Sequence, residues 1–276
     1  TLFTFLSSNM EFMPEIAKFR AARRVWAKLM HETYGSQDPR SEQLRIFVFT
    51  AGSSLTAQQP LNNVVRTSIE ALAAALGGCQ TMHVCAFDEA LGVPTEAAAT
   101  LALRTQQIVA FETGLTDLVD PLGGSELLER LTDQLEAEVM AEMDKIAELG
   151  GALACIESGY FATRLSDSAY ETAIAIDTGK RKVVGVNSFV SDTAEFEVFT
   201  IDHESEARQI ESLLHVKEKR DQSQVTHTLE GLSKAAHDGI NIVPSVVLAV
   251  KAYATVGEIT DVLREVYGKW EPTSSF

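Results

Sequence analysis

Apolar positions in the first 120 residues follow two spacings in turn. Runs of apolar, β-favouring residues predict strands at 2–8, 45–50 and 81–87. Apolar residues three or four positions apart predict helices between and after them, at 11–31, 62–76 and 94–112. The pattern therefore predicts three consecutive strand–helix units.

The connections between these strands indicate how they pair. Strands separated by single helices pair in parallel through right-handed crossovers. Three parallel strands cannot close a barrel, and their edges would be exposed. Two interpretations follow: a small open sheet, or the last three βα units of a (β/α)8 TIM barrel whose other five units lie upstream of Thr1. Because the chain opens directly in a strand-like run without a methionine, we expect the second.

The chain changes character after residue 123. We expect an α/β fold in which residues 1–123 form the barrel part and residues 124–276 a mostly helical extension with short strands. The extension is predicted to have helices at 125–149, 152–159, 165–178, 205–237 (broken near Gln222) and 256–267, and strands at 182–186 and 196–201. The acidic side of the 125–149 helix is expected to face solvent.

Side chains of the second strand divide between two faces. Successive residues of a strand point to opposite sides, so Arg45, Phe47 and Phe49 share one face. Ile46 and Val48 share the other, and in a barrel they would pack against the helices. Arg45 and the two phenylalanines would then face the lumen.

The third strand repeats this arrangement with more polar side chains. His83, Cys85 and Phe87 share a face, and a lumen lined by Arg, His and Cys is too polar for a filled barrel. This favours a ligand that reaches inside, with His83 among its contacts, although a buried histidine is more often a hydrogen-bonded core residue. Glu89 follows at the carboxyl end of the strand, where barrel enzymes place their sites; a carboxylate there also stabilises a helix N-terminus.

Composition narrows the classes of partner. The formal net charge is −16, with 39 acidic and 23 basic residues, which argues against duplex nucleic acid and anionic membranes. No apolar run reaches about 18 residues, so no transmembrane helix is predicted. The three cysteines are scattered without a CxxC pair, which is typical of reduced thiols in a cytoplasmic protein. No two histidines have helical ligand spacing, and we expect no metal site.

Eight short segments match one known family in the same order along the chain. They are EIAKFRAARR (15–24), TAGSSLTAQQP (50–60), NNVVR (62–66), FDEAL (87–91), RTQQI (104–108), VDPLGGS (119–125), VGVN (184–187) and GEITDVLR (257–264). The sequence thereby resembles the adenosylcobalamin-dependent acyl-CoA mutases of the methylmalonyl-CoA mutase family. The resemblance runs from Phe5 to about Tyr267.

The resemblance implies the C-terminal half of the large, substrate-binding subunit of such a mutase. In this family coenzyme A threads a (β/α)8 barrel, a helical extension follows, and adenosylcobalamin lies across the top of the barrel. The chain stops soon after Tyr267, like members whose cobalamin domain is a separate subunit. The implied partners are an acyl-CoA substrate, the N-terminal remainder of the barrel, a cobalamin-binding subunit and a G-protein chaperone.

The implied reaction is the radical carbon-skeleton rearrangement of a short acyl-CoA, an isomerisation whose chemistry the cofactor supplies. The family's general-acid histidine, its radical-gating tyrosine and its carboxylate-binding arginine have no counterpart in this chain. The resemblance therefore implies no catalytic residue here.

The resemblance assigns candidate contacts for coenzyme A and for the corrin ring. Arg45 matches an arginine that pairs with the CoA phosphates, and Arg40 stands where a lysine often does similar work. Gln80 matches a CoA-contacting glutamine. Gly52 and Ser53 match positions that face the corrin.

Further matches concern the adenosyl group and the acyl group. Glu89 matches the glutamate that hydrogen-bonds the adenosyl ribose, with Ala90 beside it. Cys85 stands where methylmalonyl-type enzymes have an adenosyl-contacting asparagine. Phe47 and Phe49 replace a histidine and a glutamine that contact the substrate.

These departures leave three interpretations open. A lumen with two phenylalanines is more apolar than a dicarboxylate requires, which favours a neutral branched acyl group, such as isobutyryl or hydroxyisobutyryl, over methylmalonyl. Alternatively, the chain belongs to a catalytically silent homologous subunit that acts as an assembly partner. The third interpretation is an independent open-sheet domain with its own ligand.

Overall fold

The computed structural model describes residues 2–191, 196, 198–200 and 202–271. The chain divides into two compact units, residues 1–199 and 200–275. Among the described helices, none combines the length and the hydropathy that crossing a membrane requires. The three cysteines are all free.

A parallel sheet forms the centre of the first unit. Its strands are β1 (Phe3–Ser8), β2 (Arg45–Thr50) and β3 (Thr81–His83), in the order β1-β2-β3. In the register, Phe47 lies opposite both Phe5 and Thr81. The three predicted strands and their parallel pairing are therefore confirmed.

The third strand ends at His83, and the predicted end at Phe87 is wrong. Thr50 explains the difference, because its Oγ1 accepts the backbone N–H of Cys85 at 2.8 Å. This side-chain hydrogen bond replaces the next rung of the ladder, and the backbone leaves the sheet as a loop. Phe87 packs against the cluster that contains Val84, so it does not share the face of His83 as predicted.

Helices make up most of the described chain. They are α1 (Phe12–Lys28), α2 (Asn62–Leu76), α3 (Glu96–Phe111), α4 (Glu126–Glu148), α5 (Ala152–Glu157), α6 (Tyr160–Asp177), α7 (His203–Lys219), α8 (Gln222–His237), α9 (Val243–Lys251) and α10 (Val256–Tyr267). A π-helical turn, Leu29–Thr33, continues α1 beyond its predicted end. α3 begins two residues later than predicted, because Thr95 caps it by accepting the N–H of Ala98.

The helices cover one face of the sheet. Ile46 and Val48 are fully buried and pack with Phe19 of α1 and Ala74 of α2. Apolar burial of this kind contributes about 1.5–3 kcal/mol for each large side chain. The predicted division of β2 between its two faces is confirmed.

α4 packs along α1, and the prediction that its acidic side faces solvent is wrong in part. Arg20 of α1 pairs with Glu129 at 2.6 Å, and Arg24 pairs with Glu136 at 2.7 Å. Lys28 also contacts Glu136, which is buried. The cations that α1 carries between its apolar positions are thus the partners of the acidic face of α4.

The two short strands predicted in the extension are not observed. Val184 forms one isolated bridge with Ser188, because the Asn187 side chain bonds three backbone groups nearby and closes a turn. The described residues of the other segment, 196 and 198–200, are not in a strand; residues 197 and 201 lie outside the described part.

The second unit is helical. Leu232, Ala249 and Ile259 form the core between α8, α9 and α10. The predicted break near Gln222 is confirmed, since Asp221 caps α8 there. α9 was not predicted, because its short apolar run lacks a polar face that would show a helical period.

Candidate functional site

The N-terminal ends of the strands open onto a cavity of about 1200 Å³. Phe3, Phe5 and Phe47 line it, together with Arg45 and Gln80. The rings of Phe5 and Phe47 meet edge to face, with centroids 5.2 Å apart. The sheet face turned away from the helices therefore offers an aromatic wall with a cation at the start of β2.

A second cavity, of about 510 Å³, lies beside the first. Arg40, Asp38 and Trp26 line it, and Arg45 lines both cavities. Arg40 is already engaged, because its Nη2 lies 2.8 Å from Asp38 Oδ2. Among the described residues, no hydrogen bond or ion pair engages the side chain of Arg45. Arg45 is thus a cation that remains available to an anionic ligand, whereas Arg23, which also lines the first cavity, donates to the carbonyls of Gly77 and Gly78.

Gln80 has a structural task at the same end of the sheet. Its Oε1 accepts the backbone N–H of Ile46 at 2.6 Å, and its Nε2 donates to the carbonyl of Gly78 at 3.1 Å. The amide therefore fixes the chain between α2 and β3. A ligand contact by Gln80 would have to share these groups.

The C-terminal ends of the strands carry small, accessible residues. Gly52 and Ser53 are exposed on a 3-10 turn that follows β2. A Cβ placed on Gly52 would meet no atom within 4 Å. Ala90, in the loop after β3, is exposed as well. This edge of the sheet therefore leaves room for a large flat ligand.

Three predicted site residues come together at this edge. One ligating atom from each of His83, Cys85 and Glu89 lies within 4.8 Å of the other two. The Cys85 thiol donates to the carbonyl of Thr50 at 3.1 Å, and burial raises the pKa of this thiol to about 11. Glu89 accepts the N–H of Ala86 at 2.6 Å. Phe49 lies near this edge on the same sheet face as Phe47, half exposed.

A buried asparagine, which the sequence analysis did not single out, joins the two loops of this edge. Asn63 of α2 donates to the carbonyls of Thr56, at 2.9 Å, and Phe87, at 2.8 Å. Its Oδ1 accepts from the N–H of Thr56 and from Arg66. Arg66 also donates to the carbonyl of Val184 at 2.7 Å.

A buried carboxylate holds the first of these loops. Glu70 accepts the N–H of Ala51 at 3.1 Å and is fully buried, with its Oε1 unpartnered. Burial raises the pKa of Glu70 to about 7, against the opposing hydrogen bonds from Ser54 and Ala51. Polar residues at helical spacing inside the apolar pattern of α2, Asn63, Arg66 and Glu70, were the signal that could have found this network.

A profile of the family described as methylmalonyl-CoA mutase matches residues 1–269. The chain belongs to the methylmalonyl-CoA mutase family.

Individual relatives agree with this family. The chain is 41% identical over 275 residues to a 2-hydroxyisobutanoyl-CoA mutase large subunit of Aquincola tertiaricarbonis, covering 99% of this chain and 49% of the relative. It is 41% identical over 268 residues to the methylmalonyl-CoA mutase of Escherichia coli, covering 96% and 37%. A methylmalonyl-CoA mutase large subunit of Streptomyces virginiae is 39% identical over 273 residues, covering 96% and 37%. These relatives are acyl-CoA mutases, which are isomerases.

The chain spans half or less of the length of these curated relatives. The predicted family resemblance is therefore confirmed over nearly the whole chain.

Proposed function

We propose that this chain is the C-terminal half of the substrate-binding large subunit of a cobalamin-dependent acyl-CoA mutase. The observation that carries the proposal is the sheet face turned away from the helices. It runs from Arg45, whose side chain has no partner within the described part of the chain, past the aromatic wall of Phe5 and Phe47, to the cluster around Glu89 at the other end of the strands. An acyl-CoA has the matching sequence of anionic phosphates, extended arm and short acyl group.

The fold supports a barrel as the context of this face. We propose that residues 1–123 are the last three βα units of a TIM barrel and residues 124–276 its helical extension. Leu2, Phe3 and Phe5 are more than half exposed at β1, the edge where further strands would pair. The N-terminal remainder of the barrel would cover them.

The residues at the C-terminal edge of the sheet fit adenosylcobalamin. The exposed Gly52 and Ser53, with open space beyond, would lie under the corrin ring. Glu89 would accept hydrogen bonds from the adenosyl ribose, with Ala90 and Cys85 beside it. When bound, this cofactor would supply the radical chemistry of the rearrangement. The chain itself would bind the thioester and exclude water from the reacting carbon.

The proposed assembly has further parts. By family resemblance we propose a separate cobalamin-binding subunit and a G-protein chaperone as partners. Three free cysteines support a reducing compartment, for which we propose the cytoplasm.

Arg45→Gln tests the proposed acyl-CoA site. Hydrogen bonds to charged groups contribute about 1.5–3 kcal/mol, so we expect acyl-CoA binding by the full assembly to weaken about 10- to 100-fold. Arg40, the second candidate contact for coenzyme A, is already paired with Asp38, so Arg40→Gln should have a smaller effect. Isothermal titration with coenzyme A thioesters measures both, and equal affinity of wild type and Arg45→Gln would contradict the proposal.

Glu89→Gln tests the proposed hold on the cofactor. It preserves shape and removes the charge, so we expect turnover of the full assembly to fall by roughly 5- to 150-fold, which corresponds to about 1–3 kcal/mol. Cobalamin affinity should change less. Glu96→Gln, at the exposed start of α3, is the control and should leave turnover unchanged. Wild-type turnover in Glu89→Gln would show that Glu89 only accepts the backbone N–H of Ala86 and does not hold the cofactor.

Substrate choice depends on Phe47 and Phe49. Neither ring offers a donor to a free carboxylate, whereas each buried CH₂ of an alkyl group gains about 0.8 kcal/mol. We therefore expect the complete enzyme to prefer an uncharged branched acyl-CoA, of the isobutyryl or hydroxyisobutyryl kind. Competition between the two thioesters measures this preference, and a higher kcat/KM for methylmalonyl-CoA would show that a cation elsewhere outweighs the two rings.

A silent assembly partner is the second candidate function. The apolar face and the position of Cys85, where methylmalonyl-type enzymes have an asparagine, favour it. Absence of turnover in the complete assembly, with acyl-CoA binding retained, would support this role over the enzyme.

A further inference from the structure

We propose that His83, Cys85 and Glu89 form a binding site for a zinc-class divalent cation. The three side chains bring an imidazole nitrogen, a sulfur and a carboxylate oxygen within 4.8 Å of one another. His83 ends β3, Cys85 lies two residues later in the loop that follows, and the same loop returns Glu89 to both. No metal site was predicted from the sequence, because these three residues do not have the helical spacing of a ligand pair.

The donor set matches the chemistry of zinc. Zinc binds Cys sulfur, His nitrogen and carboxylate oxygen, and sites with three protein ligands keep a fourth position open for water or a ligand. Metal–ligand distances of about 2.0–2.3 Å place tetrahedral donors roughly 3.3–3.7 Å apart. The donor atoms, which lie within 4.8 Å of one another, would move closer by up to about 1.5 Å to reach that geometry. Hard cations such as Mg²⁺ would find one suitable oxygen ligand and no cage.

The surroundings bury Cys85, hold Glu89 through a backbone hydrogen bond and leave the His83 imidazole exposed. Cys85 is buried and held against the carbonyl of Thr50, and Glu89 is held by the N–H of Ala86. The bond to Glu89 persists when the carboxylate binds a cation, and hydrogen bonds of this kind orient metal ligands, whereas the bond from Cys85 is lost with the thiol proton. Within the described residues, no hydrogen bond or ion pair engages the imidazole of His83, which is exposed and can turn toward the sulfur. Binding replaces the S–H bond of Cys85 with an S–metal bond and releases the proton to solvent.

The site overlaps the proposed cofactor contacts. Cys85 and Glu89 would touch the adenosyl group, so a bound cation and the cofactor would exclude each other. This consequence rests on the proposed function; the cation site itself rests on the three side chains alone.

Cobalt titration of the full-length protein tests the site without cobalamin or acyl-CoA. Co²⁺ serves as the spectroscopic probe for zinc, because a sulfur ligand produces a thiolate-to-cobalt charge-transfer band. We expect one equivalent of Co²⁺ to generate this band and Zn²⁺ to displace it. Cys85→Ala should abolish the band, whereas Cys155→Ala, which removes another buried cysteine in α5, should retain it.

Two further variants keep the test decisive if Cys85→Ala does not fold. His83→Ala changes an exposed side chain, and Glu89→Gln keeps the shape of its residue. Each should weaken Co²⁺ and Zn²⁺ binding at least about 10-fold while retaining the sulfur band. A missing band, or wild-type metal affinity in both variants, would overturn the proposal. The acyl-CoA titration of Arg45→Gln is unaffected by either result, so failure of the cation site is distinguishable from failure of the proposed function.

Discussion

Asn63→Ala is expected to lower the free energy of unfolding of the sheet-containing unit by about 4 kcal/mol. The side chain is fully buried and makes four hydrogen bonds, to both backbone groups of Thr56, to the carbonyl of Phe87 and to Arg66. Alanine removes all four and leaves buried partners unsatisfied, at about 1–3 kcal/mol each when water cannot replace the lost contact. Partial relaxation keeps the total below the simple sum.

The effect should also reach the candidate site. Asn63 ties the loop after β2 to the loop after β3, so its loss frees the segments that carry Ser53 and Glu89. Asn62→Ala is the control, because Asn62 precedes it on α2 and makes one hydrogen bond, to Gln59. Urea unfolding of the full-length protein, followed by a probe in this unit, measures both. Equal losses in the two variants would mean that the Asn63 network does not stabilise the loops.

The second large effect is a pH dependence that Glu70 creates. Its pKa is raised to about 7 in the folded protein, mainly by burial, from an ordinary value of 4.5. Between these two pH values the folded state holds a proton that the unfolded state has released. The stability contribution of a raised carboxyl pKa therefore falls as pH rises from about 4.5 to 7 and stays low above that. A shift of this size corresponds to about 3 kcal/mol.

Glu70→Gln is expected to remove that decline. The neutral amide does not titrate, so between pH 5 and pH 8 the free energy of unfolding should fall by about 2.5 kcal/mol less in the variant than in the wild type. The test compares slopes of stability against pH and not absolute stabilities. The amide of Glu70→Gln also places an NH₂ group in the buried site where Oε1 of Glu70 has no partner, and this changes the stability at every pH. Glu126→Gln replaces an exposed carboxylate at the start of α4 and should leave the pH dependence unchanged. If the slope of stability against pH were the same in Glu70→Gln and wild type, Glu70 would not be the titrating group.

Physically, the two predictions share one origin. Asn63 and Glu70 are polar residues on the buried side of α2. They form hydrogen bonds with backbone groups of the loops after β2 and β3, which the sheet does not pair. A buried polar group stabilises only when its hydrogen bonds are complete. Asn63 satisfies this condition and Glu70 does not, which is why one stabilises strongly and the other titrates near neutrality.

Local periodicity predicted most of the helices and strands, because the apolar side chains that face the core recur with the period of the backbone that carries them. The alternation of β2 placed Ile46 and Val48 against the helices and Arg45 on the free face. The order of short motifs was enough to identify the family. The same reasoning missed α9, whose short apolar run has no polar face. It also predicted a strand at 182–186 from the β-branched valines there, where the Asn187 side chain instead closes a turn.

Tertiary structure alone decided which polar groups meet. The end of β3 depends on Thr50, which lies 35 positions before Cys85 in the chain and takes its N–H in place of the ladder. The same loop returns Glu89 to His83 and Cys85, and α1 supplies the cations for Glu129 and Glu136 of α4. Local sequence determines which positions of a helix or strand face the core, because side-chain direction repeats with the period of the backbone. Which hydrogen-bonding and charged partners it finds there depends on segments far apart in the chain, and these become neighbours only when the sheet and helices pack.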